Sequence, residues 1–106
     1  MSSCGSFALV LHSHIPYCRK SGVWPFGEEW VFEAMAETYI PIIDMLSATE
    51  DNGFEPRIAV SLSPVLAEQL ADCYMKSRFL EYAEMRKKAA VHDAERYESE
   101  HDDRLA

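Results

Sequence analysis

Two rhythms of apolar and polar positions run along this chain. The first is a continuous apolar run, Phe7-Ala8-Leu9-Val10-Leu11, between Ser6 and a proline-containing turn. Such a run reads as a buried strand, here Ser6–His12. A second short run with β-branched Ile58 and Val60 predicts a strand over Arg57–Leu62. Between them the rhythm is helical. Val31, Met35, Ile42 and Leu46 mark a stripe that Trp30, Ala34 and Ile43 widen, in a helix starting near Glu28 and ending at Asn52-Gly53. Pro41 removes a backbone bond to Glu37 and is expected to kink or divide that helix. Ser63-Pro64 reads as an N-cap followed by proline in the first turn, opening a helix over Pro64–Asp72. A third helical pattern runs from about Lys76 towards Asp102, with Phe79, Tyr82, Ala83, Ala90, Ala94 and Tyr97 on one weakly apolar face. It is polar enough to lie outside or to protrude.

Strand, long loop, helix, strand, helix, helix is the order of an α/β protein with a parallel sheet. Two strands are few for such a sheet, which is normally covered on both faces. The pattern therefore reads as the opening of a larger α/β protein, and the 106-residue chain as one domain at most.

Charge and composition narrow the partners. The net charge is −8, which disfavours nucleic acid or an anionic membrane. No Lys or Arg occurs between Ser21 and Pro56, whereas eight acids do: Glu28, Glu29, Glu33, Glu37, Asp44, Glu50, Asp51 and Glu55. One acidic, solvated face is the expectation. Cys4, Cys18 and Cys73 are odd in number and lack metal-site spacing, as free thiols in a reducing compartment would be. Neither a signal-peptide apolar segment nor a membrane-length run is present, so the expected location is the cytoplasm.

Candidate chemistry gathers where the first strand ends. His12 and His14 fall on one side if the strand persists that far, and strand C-termini are where α/β proteins place their sites. Ser61 and Ser63 occupy the same level on the second strand. The plainer alternative has one histidine capping a turn and the other solvated. The loop Ser13–Gly27 is long enough to be functional and carries Tyr17, Trp24 and Phe26 beside Arg19 and Lys20. Aromatic faces suit sugar rings; equally, Trp24 and Phe26 can simply fold the loop onto the sheet. His-x-His after a first barrel strand is also a zinc motif of amidohydrolase-like enzymes, with further ligands required from later strands. His92 and His101 lie in the polar third helix. No Gly-x-Ser-x-Gly motif, phosphate loop or partner for Cys18 is recognisable.

Three motifs in order carry a resemblance: Leu11-His12-Ser13-His14-Ile15-Pro16-Tyr17, Trp24-Pro25-Phe26-Gly27-Glu28-Glu29-Trp30 and Ala36-Glu37-Thr38-Tyr39-Ile40-Pro41, continued by Ser63-Pro64-Val65-Leu66-Ala67-Glu68-Gln69-Leu70 and Tyr74-Met75-Lys76. Over roughly Phe7–Tyr97 the chain resembles the start of family 57 glycoside hydrolases, and within them the α-1,4-glucan branching enzymes. The resemblance implies the N-terminal portion of an incomplete (β/α)7 barrel, two strands with their helices. It also implies a retaining mechanism, with two carboxylates about 5–5.5 Å apart that neither match nor fall within these residues. By that resemblance His12 is a sugar contact, Trp24 lies near the glucan groove and His14 is structural. The expected partner is an α-glucan such as glycogen, amylose or starch, and no metal or other cofactor is implied. Amylase or 4-α-glucanotransferase activity, a metal-dependent hydrolase and a stand-alone glucan-binding module are the alternatives. Alone, the chain is expected to be inactive and not to form a stable monomer.

Overall fold

A computed structural model describes residues 4–22 and 27–105, with side chains as far as His101. The elements are β1 (Val10–Ser13), α1 (Glu29–Ala34), a π-helical segment (Met35–Tyr39), α2 (Ile40–Asp51), β2 (Ala59–Leu62), α3 (Pro64–Ala71) and α4 (Cys73–Leu105). The strands pair in parallel, with Val10 opposite Ala59, Leu11 opposite Val60, His12 opposite Ser61 and Ser13 opposite Leu62. The expected α/β class and parallel pairing are both present.

Both strands are shorter than the apolar runs. β1 begins at Val10, and Phe7 stays 89% exposed. Val10, Val60 and Leu62 are also exposed, so the expected burial of the first strand is not met. A strand is buried only where something covers both faces. Here cover is partial: Leu11 and Ser13 are half-buried, with Ser13 Oγ and Tyr39 Oη sharing a hydrogen bond, and β2 is exposed throughout. Alternation puts Val10, His12 and His14, with Ala59, Ser61 and Ser63, on the opposite, more open side.

The expected division at Pro41 is present as a π-helical segment between two α-helical ones. Pro41 sits in the first turn of α2, directly after the π-helical segment. A proline cannot donate its bond and crowds the preceding turn. Widening that turn absorbs the defect and keeps the helix continuous. The wider turn also shifts the phase of everything beyond it. Val31 is buried, but Met35, Ile42 and Leu46 are only half-buried, and Trp30 and Ile43 are exposed. Phe32, outside the expected stripe, is 1% exposed.

α3 opens as expected, with Ser63 Oγ accepting from Leu66 N–H at 3.3 Å. α4 begins three residues earlier than expected. Asp72 ends α3 in an extended conformation, and its Oδ1 accepts from Met75 N–H at 3.0 Å, so it caps the next helix. The core is one corner. Cys18, Val31, Phe32, Met75 and Tyr82 cluster there, with Ile15, Leu70 and Phe79 packed around them. The Phe32 ring lies 5.4 Å from that of Tyr82 and 6.2 Å from that of Phe79, within the range of favourable aromatic pairs. Beyond Tyr82 the described residues of α4 are exposed; this long helix protrudes, as its polarity suggested. The chain spans 65 × 41 × 23 Å with a radius of gyration of 19.5 Å, against about 13 Å for a compact chain of this length.

Candidate functional site

The ends of the two strands carry two histidine–serine pairs. His12 Nδ1 and Ser61 Oγ share a hydrogen bond of 2.5 Å, and His14 Nδ1 and Ser63 Oγ one of 2.6 Å. Both follow from register. His12 stands opposite Ser61, and two residues further along each strand the same step places His14 beside Ser63. Parallel neighbours in register point the same way, so the pairs form successive rungs on the open face. Ser63 Oγ also accepts from Leu66 N–H, so this hydroxyl joins the histidine to the start of α3.

Alternation thus places His12 and His14 on one side correctly, and strand-end reasoning places Ser61 and Ser63 at their level. The pairing itself is not read from the sequence alone. Its signal is there: the His-x-His and Ser-x-Ser spacings match. Trp24 lies outside the described residues. His92 and His101 are exposed on α4, far along the chain from the strand ends.

Beside the rungs, a buried polar cluster ties the loop after β1 to the helices. Gln69, 1% exposed, is at its centre. Its Oε1 accepts from Cys18 N–H at 3.0 Å and from Cys18 Sγ–H at 3.2 Å. Its Nε2 donates to Pro16 C=O at 3.1 Å and to Ile15 C=O at 3.4 Å. One amide therefore satisfies loop groups that would otherwise be buried without partners. Gln69 shares the inward side of α3 with Leu66 and Leu70, and a polar residue in an apolar phase is the sequence signal for it.

Glu28 corrects the expectation of a wholly solvated acidic face: it is 2% exposed. Its Oε2 accepts from Lys20 N–H at 2.8 Å and its Oε1 from Tyr74 O–H at 3.3 Å. Arg78 Nε approaches the same carboxylate at 3.6 Å, an ionic contact too long to be a hydrogen bond. Glu28 N–H donates to Gly22 C=O at 2.8 Å, so the two ends of the loop segment meet at this residue. Lys20 sits there at φ 59°, a left-handed conformation that costs a non-glycine residue energy and is held by the Glu28 carboxylate on its N–H.

Charges here are set by burial and by partners. Burial, and next the nearby Glu28 carboxylate, raise the Cys18 thiol above its ordinary pKa. A thiol held neutral is a poor nucleophile, so Cys18 belongs to the packing. Burial, and then the hydrogen bond to Glu28, raise Tyr74 as well. The Met75 N–H foremost, with Arg19 also contributing, lowers Asp72. Arg19 Nε meets Asp72 Oδ2 at 3.0 Å, and its guanidinium lies over the Tyr74 ring at 4.8 Å.

No group of three or more His, Cys, Asp or Glu among the described residues is placed to hold a metal ion. Both histidines direct Nδ1 to a serine, leaving a single ring nitrogen each for anything else. A neutral imidazole Nε2 on a strand end donates or accepts one hydrogen bond. The rungs consist of imidazole and hydroxyl groups.

The unit is α/β, with parallel strands whose C-terminal ends carry hydrogen-bonding side chains, where α/β proteins place their sites. Comparison with known proteins gives the family. The profile of glycosyl hydrolase family 57 matches residues 8–101. A 1,4-alpha-glucan branching enzyme of Thermococcus kodakarensis is 54% identical over 89 residues, covering 84% of this chain and 13% of the relative. A probable 1,4-alpha-glucan branching enzyme of Mycobacterium tuberculosis is 40% identical over 70 residues, covering 66% of this chain and 13% of the relative. The crystal structure of the Thermococcus kodakaraensis family 57 branching enzyme, in complex with glucose and additives, superposes with a TM-score of 0.79 at 55% identity, over 81% of this chain and 16% of that one. The family 57-type branching enzyme of Pyrococcus horikoshii does so with a TM-score of 0.82 at 52% identity, over 84% of this chain and 17% of that one. The chain belongs to glycosyl hydrolase family 57, and it spans about an eighth of the length of the curated relatives it matches.

Proposed function

We propose that this chain is the N-terminal part of a 1,4-α-glucan branching enzyme, contributing the first two strands of an incomplete seven-stranded barrel. The observation that carries this reading is the 54% identity to a branching enzyme over 84% of the chain. The complete protein cuts an α-1,4 linkage, keeps the cut chain as a glycosyl ester on a carboxylate and passes it to a 6-hydroxyl. Its substrates are α-glucans of the glycogen, amylose or starch kind. The nucleophile and the general acid come from residues outside these 106, so the chain has no such activity alone. Its own part is recognition. His12, on the open strand end, hydrogen-bonds the reacting sugar, and Trp24 packs against the glucan. Three free cysteines, one buried and two exposed, support a reducing, cytoplasmic setting.

The test uses the complete protein with amylose. Branching produces α-1,6 linkages, visible by proton NMR, without a matching rise in reducing ends. Rising reducing ends alone mean amylase activity, and redistributed linear chains mean glucanotransferase activity. Either outcome overturns the branching reading while leaving the family intact. His12→Ala is expected to cut turnover by about 10²-fold or more, as loss of a transition-state hydrogen bond does. Wild-type turnover in that variant would remove His12 from the site.

A further inference from the structure

We propose that Ser61 is a positioning residue for His12: its hydroxyl donates to His12 Nδ1, fixes the imidazole proton on Nε2 and turns that N–H towards the open face of the sheet. The proposal rests on the reading of His12 as a sugar contact, and it assigns the group that makes His12 a donor.

Three observations converge on it. The His12–Ser61 hydrogen bond, at 2.5 Å, joins residues that the parallel ladder already places opposite each other. Backbone pairing therefore delivers the hydroxyl to Nδ1 without further adjustment. The neighbouring rung repeats the arrangement: Ser63 has the same relation to His14, at 2.6 Å, and also accepts from Leu66 N–H at 3.3 Å. Finally, the Ser61 hydroxyl serves His12 alone. Among the described residues it makes no other side-chain hydrogen bond, whereas Ser63 also caps α3. Ser61 is exposed among the described residues.

The chemistry needs such a group. A neutral imidazole has two tautomers of similar energy in water, and only one presents N–H at Nε2. Without a partner at Nδ1, the ring divides between tautomers and rotates about its side-chain bonds. A hydroxyl that donates to Nδ1 selects one tautomer and one orientation before the sugar arrives. That is preorganisation, which acts on the rate more than on ground-state affinity.

The experiment compares Ser61→Ala, Ser61→Thr and His12→Ala in the complete protein, with amylose as substrate. Ser61→Ala is expected to lower kcat about tenfold, less than the roughly 10²–10³ of losing a direct donor. KM should stay within about twofold and the melting temperature should not change. Ser61→Thr keeps the hydroxyl and suits a strand, so it should recover most of the lost rate. Nitrogen-15 spectra of histidine-labelled protein should show His12 protonated at Nε2 in the parent and as a tautomer mixture in Ser61→Ala. Wild-type kcat in Ser61→Ala, or a His12 proton on Nδ1 in the parent, overturns the proposal. If His12→Ala retains full turnover, the sugar-contact reading itself has failed. If His12→Ala is impaired while Ser61→Ala is normal, the positioning role alone is wrong.

Discussion

The corner where the loop after β1 meets α1, α3 and α4 differs from the sheet it supports in almost every respect. At the corner, side chains are buried and polar groups are matched: Gln69 and Glu28 sit among Val31, Phe32, Leu66 and Met75, and each joins several partners. On the sheet's more open face, Val10, His12, His14 and Ser61 are exposed, and the hydrogen bonds are single rungs between neighbours. The difference separates two jobs. Stability and loop geometry are settled at the corner, where desolvation makes each hydrogen bond matter. The proposed recognition chemistry falls on strand residues that are exposed among the described residues. Substitutions at the corner should therefore be read out as stability, and substitutions on the open face as turnover.

The strongest way to break that division is to hollow out the corner. Phe32 is 1% exposed and touches two aromatic rings. Phe32→Ala in the complete protein is expected to cost about 3–5 kcal/mol, the usual range for emptying a buried aromatic site. Urea unfolding measures it. A loss within about 0.5 kcal/mol, typical of a surface position, would show that the corner is not where stability resides.

Gln69→Leu asks a finer question. The volume is kept and the apolar character of α3 rises, so an accounting by hydrophobicity predicts a gain. The hydrogen bonds predict the reverse, because Cys18 N–H and Pro16 C=O lose the partner that Gln69 gives them. The expected loss is about 1–3 kcal/mol, the cost of a buried group left unsatisfied. Thermal melting combined with proteolysis between Pro16 and Gly22 reads both stability and loop release. A more stable protein with an uncut loop would mean that packing, and not the amide, holds the loop.

How far these roles are legible in the sequence depends on how local their causes are. The α3 cap is visible because Ser63-Pro64 acts within one turn. The parallel pairing follows from strand and helix alternation. His12 and His14 sharing a side follows from the two-residue period. Phe32 is not legible because its burial depends on Phe79 and Tyr82 of α4 packing against its ring, a contact between distant segments that the helix's own period does not contain. Composition assigns Glu28 to solvent, but its burial depends on Lys20, Tyr74 and Arg78 arriving from two other segments. The histidine–serine rungs depend on register, which spacing hints at and only pairing fixes. The start of α4 escapes a reading that counts Asp72 as the end of one helix and not as the cap of the next.

The smallest effect is expected where α4 leaves the corner. Glu84 Oε1 and Lys88 Nζ lie 3.8 Å apart, four residues apart on the helix, with side chains 59% and 76% exposed. An exposed pair of this kind gains little, because water screens the charges and two long side chains must be held still. Lys88→Ala should therefore change stability by no more than about 0.5 kcal/mol, and added salt should erase even that. Alanine's own helix preference works in the opposite direction, so the net change sits near zero. Urea unfolding at low and high salt makes the measurement. A loss well above that limit that persisted in high salt could not come from an exposed ion pair. It would mean that the outer half of α4 is packed against another part of the protein, and that the molecule has a second place, besides the corner, where its stability is decided.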